Sequence, residues 1–439
     1  MFSIKEKAVL LFLSALVFTG CEPNLNQNTN SNTQVSTNTN TNTSTAANSQ
    51  PNGTVTRNVG MPVTMPLIDA MFTDESFAQE ARSAVQLSDE EIAKIRDASR
   101  NSVLELSGEP AEDDARSTRA SVEKTRQEIE KIIGAERTTK FFDLVRNRWG
   151  GGDSGNITAQ PNAIPTDTRV VVNAPAYRMD VFRDGQLVKT YKVGIGYPEF
   201  PLPIGLRKAN EIIFNPTWTP PDEPWVKGKV QPGQKVEAGS KLNPLGPIKI
   251  PIGLPSLVHG GKDPSRLGTF ASHGCVGLTN SGIQDFAREL SILSGDEITP
   301  QEVKDYEKQK TETKNVKLAQ PVSVELRYET IVVEDGKVTV YRDVYERGTN
   351  TEENLRKVLE VYGVSLESLS EQERTALMNA LEKMAVDAKG EKVTEPANND
   401  NKNNSAKVTR NIKGEKSVTV EIPALRGKGY PAPVNLVEK

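Results

Sequence analysis

The sequence predicts a mainly β domain, built as a sandwich or closely related barrel, flanked by helical regions and preceded by a disordered tether. Three observations carry this. Residues 24–60 are nearly all Asn, Thr, Ser and Gln, a composition that cannot bury enough apolar surface to offset its ordering entropy. Between about residues 74 and 149 the apolar positions recur at helical spacing. From about residue 166 the period shortens to alternating β-rich runs punctuated by Pro- and Gly-rich turns.

The elements follow in chain order. Residues 1–20 read as an export signal: Lys5 and Lys7 precede the 11-residue apolar run "AVLLFLSALVF", too short to span a bilayer. The run closes in "TGC", which resembles a bacterial lipoprotein signal with Cys21 as the acylated first residue. Phe18 stands where an aliphatic residue is usual. The other reading of Cys21 is an incidental residue of a signal that is simply removed. With lipidation, residues 21–60 become a tether and the membrane is reached through an N-terminal lipid, which places the protein outside the cytoplasm, facing the cell wall or periplasm.

Residues 61–152 form the expected helical region. Ser88 followed by Glu91 is a capping-box pattern, and Val122, Ile129, Ile132 and Ile133 make an apolar stripe. Partner binding and a plain spacer both suit it. Residues 165–300 form the β-rich domain, with Asp184-Gly185 as a hairpin turn between "MDVFR" and "QLVKTY" and one helix over "NSGIQDFARELSIL". Residues 315–390 read as an extension: a strand pair turning at Asp335-Gly336, then helices, one capped by Ser370 with Glu373. Residues 391–439 read as a polar, loosely ordered tail.

Composition excludes some classes. Net charge is only −4 and the basic residues form no stripe, which argues against nucleic-acid binding. Apart from Cys21 there is one cysteine, Cys275. Both histidines of the chain, His259 and His273, fall with it in one 17-residue window, "HGGKDPSRLGTFASHGC".

That window holds the parts of a nucleophilic acyl-transfer site. A thiol with a pKa near 8.5 is only about a few per cent thiolate at neutral pH. An imidazole that takes its proton cures this, provided a third group fixes the ring. Cys275 is the candidate nucleophile and His259 the candidate base, with a carbonyl of Gly260 or Gly261 to orient it. The N–H groups of Gly274 and Cys275 are candidate oxyanion donors. His273 is placed to bind substrate or line the oxyanion site. Two other readings use the same residues: Cys275 as a small buried hydrophobe among satisfied core histidines, or Cys275, His259 and His273 as three zinc ligands.

"SHGCVGL", with "HGG" upstream of it, resembles the catalytic signature of the L,D-transpeptidases (YkuD-like catalytic domain). The resemblance extends over about residues 167–300 through "RVVVNAPAYRMDVFRDGQLVKTYKVGIG", "NPTWTPP" and "NPLGPIKI". It implies a β sandwich of the L,D-transpeptidase type, with no cofactor and no metal. The substrates implied are peptidoglycan tetrapeptide stems, and carbapenem-type β-lactams are the covalent inhibitors. It implies Cys275 as nucleophile, His259 as base, Gly260 as the carbonyl that orients it, and Ser272, His273 and Gly274 as shapers of the oxyanion and substrate site. The thioester then passes to a stem-peptide amine, a lipoprotein lysine, a D-amino acid or water. Two departures bear on substrate choice. Gly277 stands where many members have Arg, so Arg266 or Lys262 is the candidate to grip a substrate carboxylate. Leu202-Pro203-Ile204-Gly205 replaces the usual threonine-bearing turn. Trp218 and Trp225 are candidates to line the cleft or simply to pack. A wall-binding lipoprotein on a catalytically impaired domain, and a carboxypeptidase that uses water as acceptor, are the alternatives in function.

Overall fold

The computed structural model describes residues 61–105, 118–149, 160–220, 230–231, 233–253, 256–387, 390, 392 and 412–438. The expected signal peptide, Cys21 and the tether lie outside the described residues, as does Trp225. Among the described residues no helix is long and apolar enough to cross a membrane.

The helical region consists of α1 (Met65–Met71), α2 (Glu75–Val85), α3 (Asp89–Glu105), α4 (Thr118–Ile133) and α5 (Ala135–Trp149). Its starts are chemically marked. Thr64 caps α1 and Asp74 caps α2 through their side-chain oxygens. The Ser88–Glu91 box forms as its spacing predicts: Glu91 N–H donates to Ser88 Oγ (3.2 Å) and Ser88 N–H to the Glu91 carboxylate (3.0 Å). Phe77, Phe141, Phe142, Ile129 and Trp149 close a core of their own. Each such side chain contributes roughly 1.5–3 kcal/mol by leaving water.

The β-rich region holds ten strands, eight of them in one curled mixed sheet and two in a separate pair, in place of the expected sandwich. The strands are β1 (Arg169–Asn173), β2 (Arg178–Arg183), β3 (Gln186–Lys192), the short β4 (Ile195–Gly196), β5 (Gly205–Phe214), β6 (Ile248–Pro251), β7 (Leu257–His259), β8 (Phe270–Ser272), β9 (Val276–Gly277) and β10 (Lys314–Arg327). Their order is β3-β2-β1-β10-β5-β6-β7-β9, with β4 and β8 as a separate parallel pair. Asp184 and Gly185 make the hairpin turn with φ of 49° and 78°, the left-handed pair that a two-residue turn between twisted strands needs. Beyond β3 the chain meets the far end of the sheet: Gly194 and Gly277 exchange both backbone hydrogen bonds, 2.9 Å each. This links the two ends and curls the sheet. Inside lie Val170, Val172, Phe214, Val258, Val276 and the apolar face of α6 (Asn280–Ser294). Helix α7 (Pro300–Lys308) follows, opened by a Thr299–Glu302 capping box.

Two boundaries differ from the sequence expectation. β10, assigned by sequence to the extension of residues 315–390, is a central strand of the sheet: it runs parallel to β1 (Val170↔Val324) and antiparallel to β5 (Val324↔Arg207). The β-rich domain therefore runs past residue 300. The tail of residues 391–439 is also ordered in its described part. β13 (Ser417–Glu421) pairs with β12 (Lys337–Tyr341), which forms a hairpin with β11 (Ile331–Glu334) at Asp335-Gly336. This small sheet packs on α8 (Glu352–Val361) and α9 (Glu371–Met384), with Ile422 and Leu425 fully buried. Residues 434–437 then bind the open edge of β3, where Thr190 N–H donates to Val434 O (2.8 Å) and Lys192 N–H to Val437 O (3.0 Å). An unpaired strand edge is a standing template for such pairing.

Candidate active site

The window of residues 259–277 closes on itself through one parallel strand pair. In β7 and β9, Val258 lies opposite Val276 and His259 opposite Gly277. Both valines point into the core. Alternation along a strand therefore turns Leu257, His259, Cys275 and Gly277 to the other face together. Local sequence enforces this: two β-branched residues take the inside, and the groups beside them take the other face.

His259 is buried, 4% exposed. Its Nδ1 lies 2.7 Å from Gly260 O. A carbonyl only accepts, so Nδ1 carries the proton in this contact; the Leu245 backbone, like that of Gly260, favours the protonated ring. Burial, and then the nearby Lys262 charge, pull the imidazole pKa down to about 3. The ring is therefore neutral at any physiological pH, as a base must be before it acts.

Cys275 is a free, half-buried thiol. Burial raises its pKa, while the Leu257 N–H and the Lys262 charge act in the opposite direction. Its own N–H donates to Ser272 Oγ (2.9 Å), and Ser272 donates to Cys275 O (2.5 Å). This corrects one expectation: the Cys275 N–H is engaged by Ser272, so it is not an open oxyanion donor here. Gly274 N–H donates to no described residue, and its carbonyl is held by Ser256 Oγ (3.1 Å). Gly274 sits at φ +91°, a conformation that costs a side-chain-bearing residue strain. His273 is half-buried, and its ring meets Tyr197 and Phe200 edge-on, with centroids at 5.0 and 4.7 Å. Among the described residues no three His, Cys, Asp or Glu side chains gather as a metal ligand set.

Gly277 is where the structure adds most to the sequence. A Cβ there would fall 2.8 Å from both Cγ and Cε of Lys262. The Lys262 side chain thus lies across Gly277, in the space that a longer residue at 277 would fill. Its ammonium interacts electrostatically with Cys275, and burial lowers its pKa to about 8. Lys262, His259 and Cys275 therefore surround Gly277. Arg266 is turned to the spacer: its guanidinium donates to Phe270 O. Trp218 is half-buried in a backbone bridge to Val236, with hydrogen bonds of 2.9 and 2.7 Å. Sequence reasoning missed Tyr197, Phe200 and Trp149 as neighbours of the window. Their positions follow from loop and helix docking, which leaves no local signal.

Residues 167–315 match the family model of the L,D-transpeptidase catalytic domain, YkuD. No curated protein matches the chain. Among solved structures, the catalytic domain of an L,D-transpeptidase from E. faecium is 15% identical, with 38% of this chain and 100% of that chain covered and a TM-score of 0.24. An L,D-transpeptidase from Mycobacterium smegmatis is 17% identical, with 37% and 58% covered and a TM-score of 0.22. The avibactam carbamoyl enzyme Ldtfm is 17% identical, with a TM-score of 0.23; 37% of this chain is covered, and the match spans 49% of that one.

Proposed function

We propose that this chain, whose residues 167–315 belong to the L,D-transpeptidase catalytic domain family (YkuD), is a peptidoglycan L,D-transpeptidase held at a membrane by a lipid on Cys21. What supports the chemistry is the His259 imidazole, held through Nδ1 on Gly260 O (2.7 Å), and its place opposite Gly277, two residues after Cys275.

In this reading the thiol proton passes to His259 Nε2 as Sγ attacks the carbonyl of the third residue of a tetrapeptide stem. Gly274 N–H receives the developing oxyanion. The bond to the terminal D-alanine breaks, and the proton held by His259 goes to the leaving amine. A thioester on Cys275 remains. An incoming amine then attacks it, its proton returns through His259, and Cys275 leaves as the thiol. Lys262 supplies positive charge beside the reacting carbon and takes the substrate carboxylate, the task for which Arg266 is less well turned.

The test is incubation of the purified chain with a tetrapeptide stem and a diamino-acid acceptor. Release of one D-alanine per new cross-link supports transfer. Release without a cross-link assigns the same thioester to water. Binding to wall sacculi without any release supports the impaired wall-binding reading.

A further inference from the structure

The helical region reaches the reacting turn. A Cβ on Gly274 would lie 3.4 Å from Cζ2 and Cη2 of Trp149, the last residue of α5. The indole therefore covers the Cα of the residue whose N–H is the open donor of the site. Trp149 is 2% exposed. Its indole N–H has no hydrogen-bond partner among the described residues, so packing alone holds the ring. The same region grips the loop beside the turn: Thr64 Oγ1, at the start of α1, donates to Glu199 O (2.7 Å). Glu199 lies between Tyr197 and Phe200, whose rings hold His273. Tyr197 N–H also donates to Ser272 O (2.9 Å).

The other polar groups of the turn are secured from within the β-rich domain. Ser272 takes the Cys275 N–H, and Ser256 holds the Gly274 carbonyl. The uncovered side of Gly274 is where Trp149 sits. A glycine at φ +91° whose N–H donates to no described residue is the softest point of such a turn, and rigid backing there fixes the direction of that N–H. Cys275 itself is partly exposed, and Trp149 backs Gly274 and not Cys275.

We propose that Trp149 is a positioning residue, and that residues 61–149 act as a brace which sets the Gly274 N–H for the oxyanion. The effect on rate rests on the acyl-transfer reading above; the bracing itself does not.

The experiment uses the full chain and its Trp149→Ala, Trp149→Phe and Thr64→Val variants. Hydrogen exchange at the amides of residues 273–276 reads the brace. Acylation of Cys275 by a carbapenem needs the oxyanion donor. Alkylation of the same thiol by iodoacetamide does not. For Trp149→Ala the expected result is exchange about tenfold or more faster at 273–276, unchanged exchange in β1 and β10, and acylation slowed about 10- to 100-fold, below the full loss of an oxyanion donor. Alkylation should change less than about threefold on the same reasoning. Trp149→Phe should restore most of the rate, because the indole N–H makes no bond. If Trp149→Ala fails to fold, Thr64→Val carries the test, with the same pattern in smaller measure.

Unchanged exchange at 273–276 overturns the brace. So does faster acylation in Trp149→Ala, which would make the indole a cover, or an equal loss of acylation and alkylation, which would make it general packing. If the wild type forms no carbapenem adduct, the acyl-transfer reading fails, and the exchange data still decide the brace.

Discussion

The buried, neutral state of His259 makes a quantitative prediction about acid stability. An exposed imidazole has a pKa near 6.5. In the fold, burial first and the Lys262 charge second bring it to about 3. Between those values the unfolded chain binds the proton and the folded chain does not, so folding stability rises with pH across this window. The contribution is complete above pH 6.5 and is lost as pH falls to about 3. A gap of about 3.5 pH units at ~1.36 kcal/mol per unit comes to roughly 4–5 kcal/mol in all. Of this, about 2–3 kcal/mol is lost by pH 4.5. Lys262, at about 8, stays protonated throughout and adds nothing in this range. The assay is urea unfolding of wild type and His259→Gln at pH 7.0 and pH 4.5. Carboxylates titrate alike in both proteins and cancel in the difference. Wild type should lose about 2–3 kcal/mol more than the variant between the two pH values. Equal losses would mean that the folded imidazole accepts a proton freely in acid, and the argument for a desolvated base would fall.

Three further outcomes follow from the same geometry. Lys262→Met should raise the Cys275 thiol pKa and slow alkylation at pH 7.5, by about tenfold for every tenfold fall in the thiol's acidity; the two rate curves should converge above about pH 9, because Lys262 loses its own charge near 8. Gly277→Ala should displace the Lys262 side chain along its length, since a Cβ meets its Cγ, Cδ and Cε; melting should show a loss of about 1–3 kcal/mol, the usual size for overpacking, while alkylation slows in the direction of Lys262→Met. Ser272→Ala should cost about 1–3 kcal/mol by urea unfolding, since it leaves the Cys275 N–H without its partner.

What the sequence showed and what it hid divide along physical lines. Short-range chemistry was legible. The Asp184-Gly185 turn, the Ser88 and Ser370 capping boxes and the helix over residues 280–294 are written in contiguous residues, and all form. The gathering of both histidines and Cys275 in one window was legible because these residues are rare in the chain. Long-range docking was not. Nothing local in β10 says that it belongs between β1 and β5, because its partners lie a hundred or more residues away in sequence. Val418, Val420 and Ile422 alternate within a polar tail, too briefly to announce a strand, yet β12 offers them an edge. The contact of Trp149 with Gly274 spans 125 positions and depends on how a whole helical bundle seats. Gly277 announced a missing side chain, and only the fold shows Lys262 lying in its place.

The central claim is an activated thiol at Cys275 with His259 as its base. The direct measurement is the intact mass of the protein after exposure to a carbapenem, for wild type, Cys275→Ser and His259→Ala. The account predicts one stoichiometric adduct on wild type, none on Cys275→Ser, and formation slowed by about 100-fold or more in His259→Ala, the size expected for loss of a general base. No adduct on wild type, or an adduct that forms as fast without His259, would contradict it.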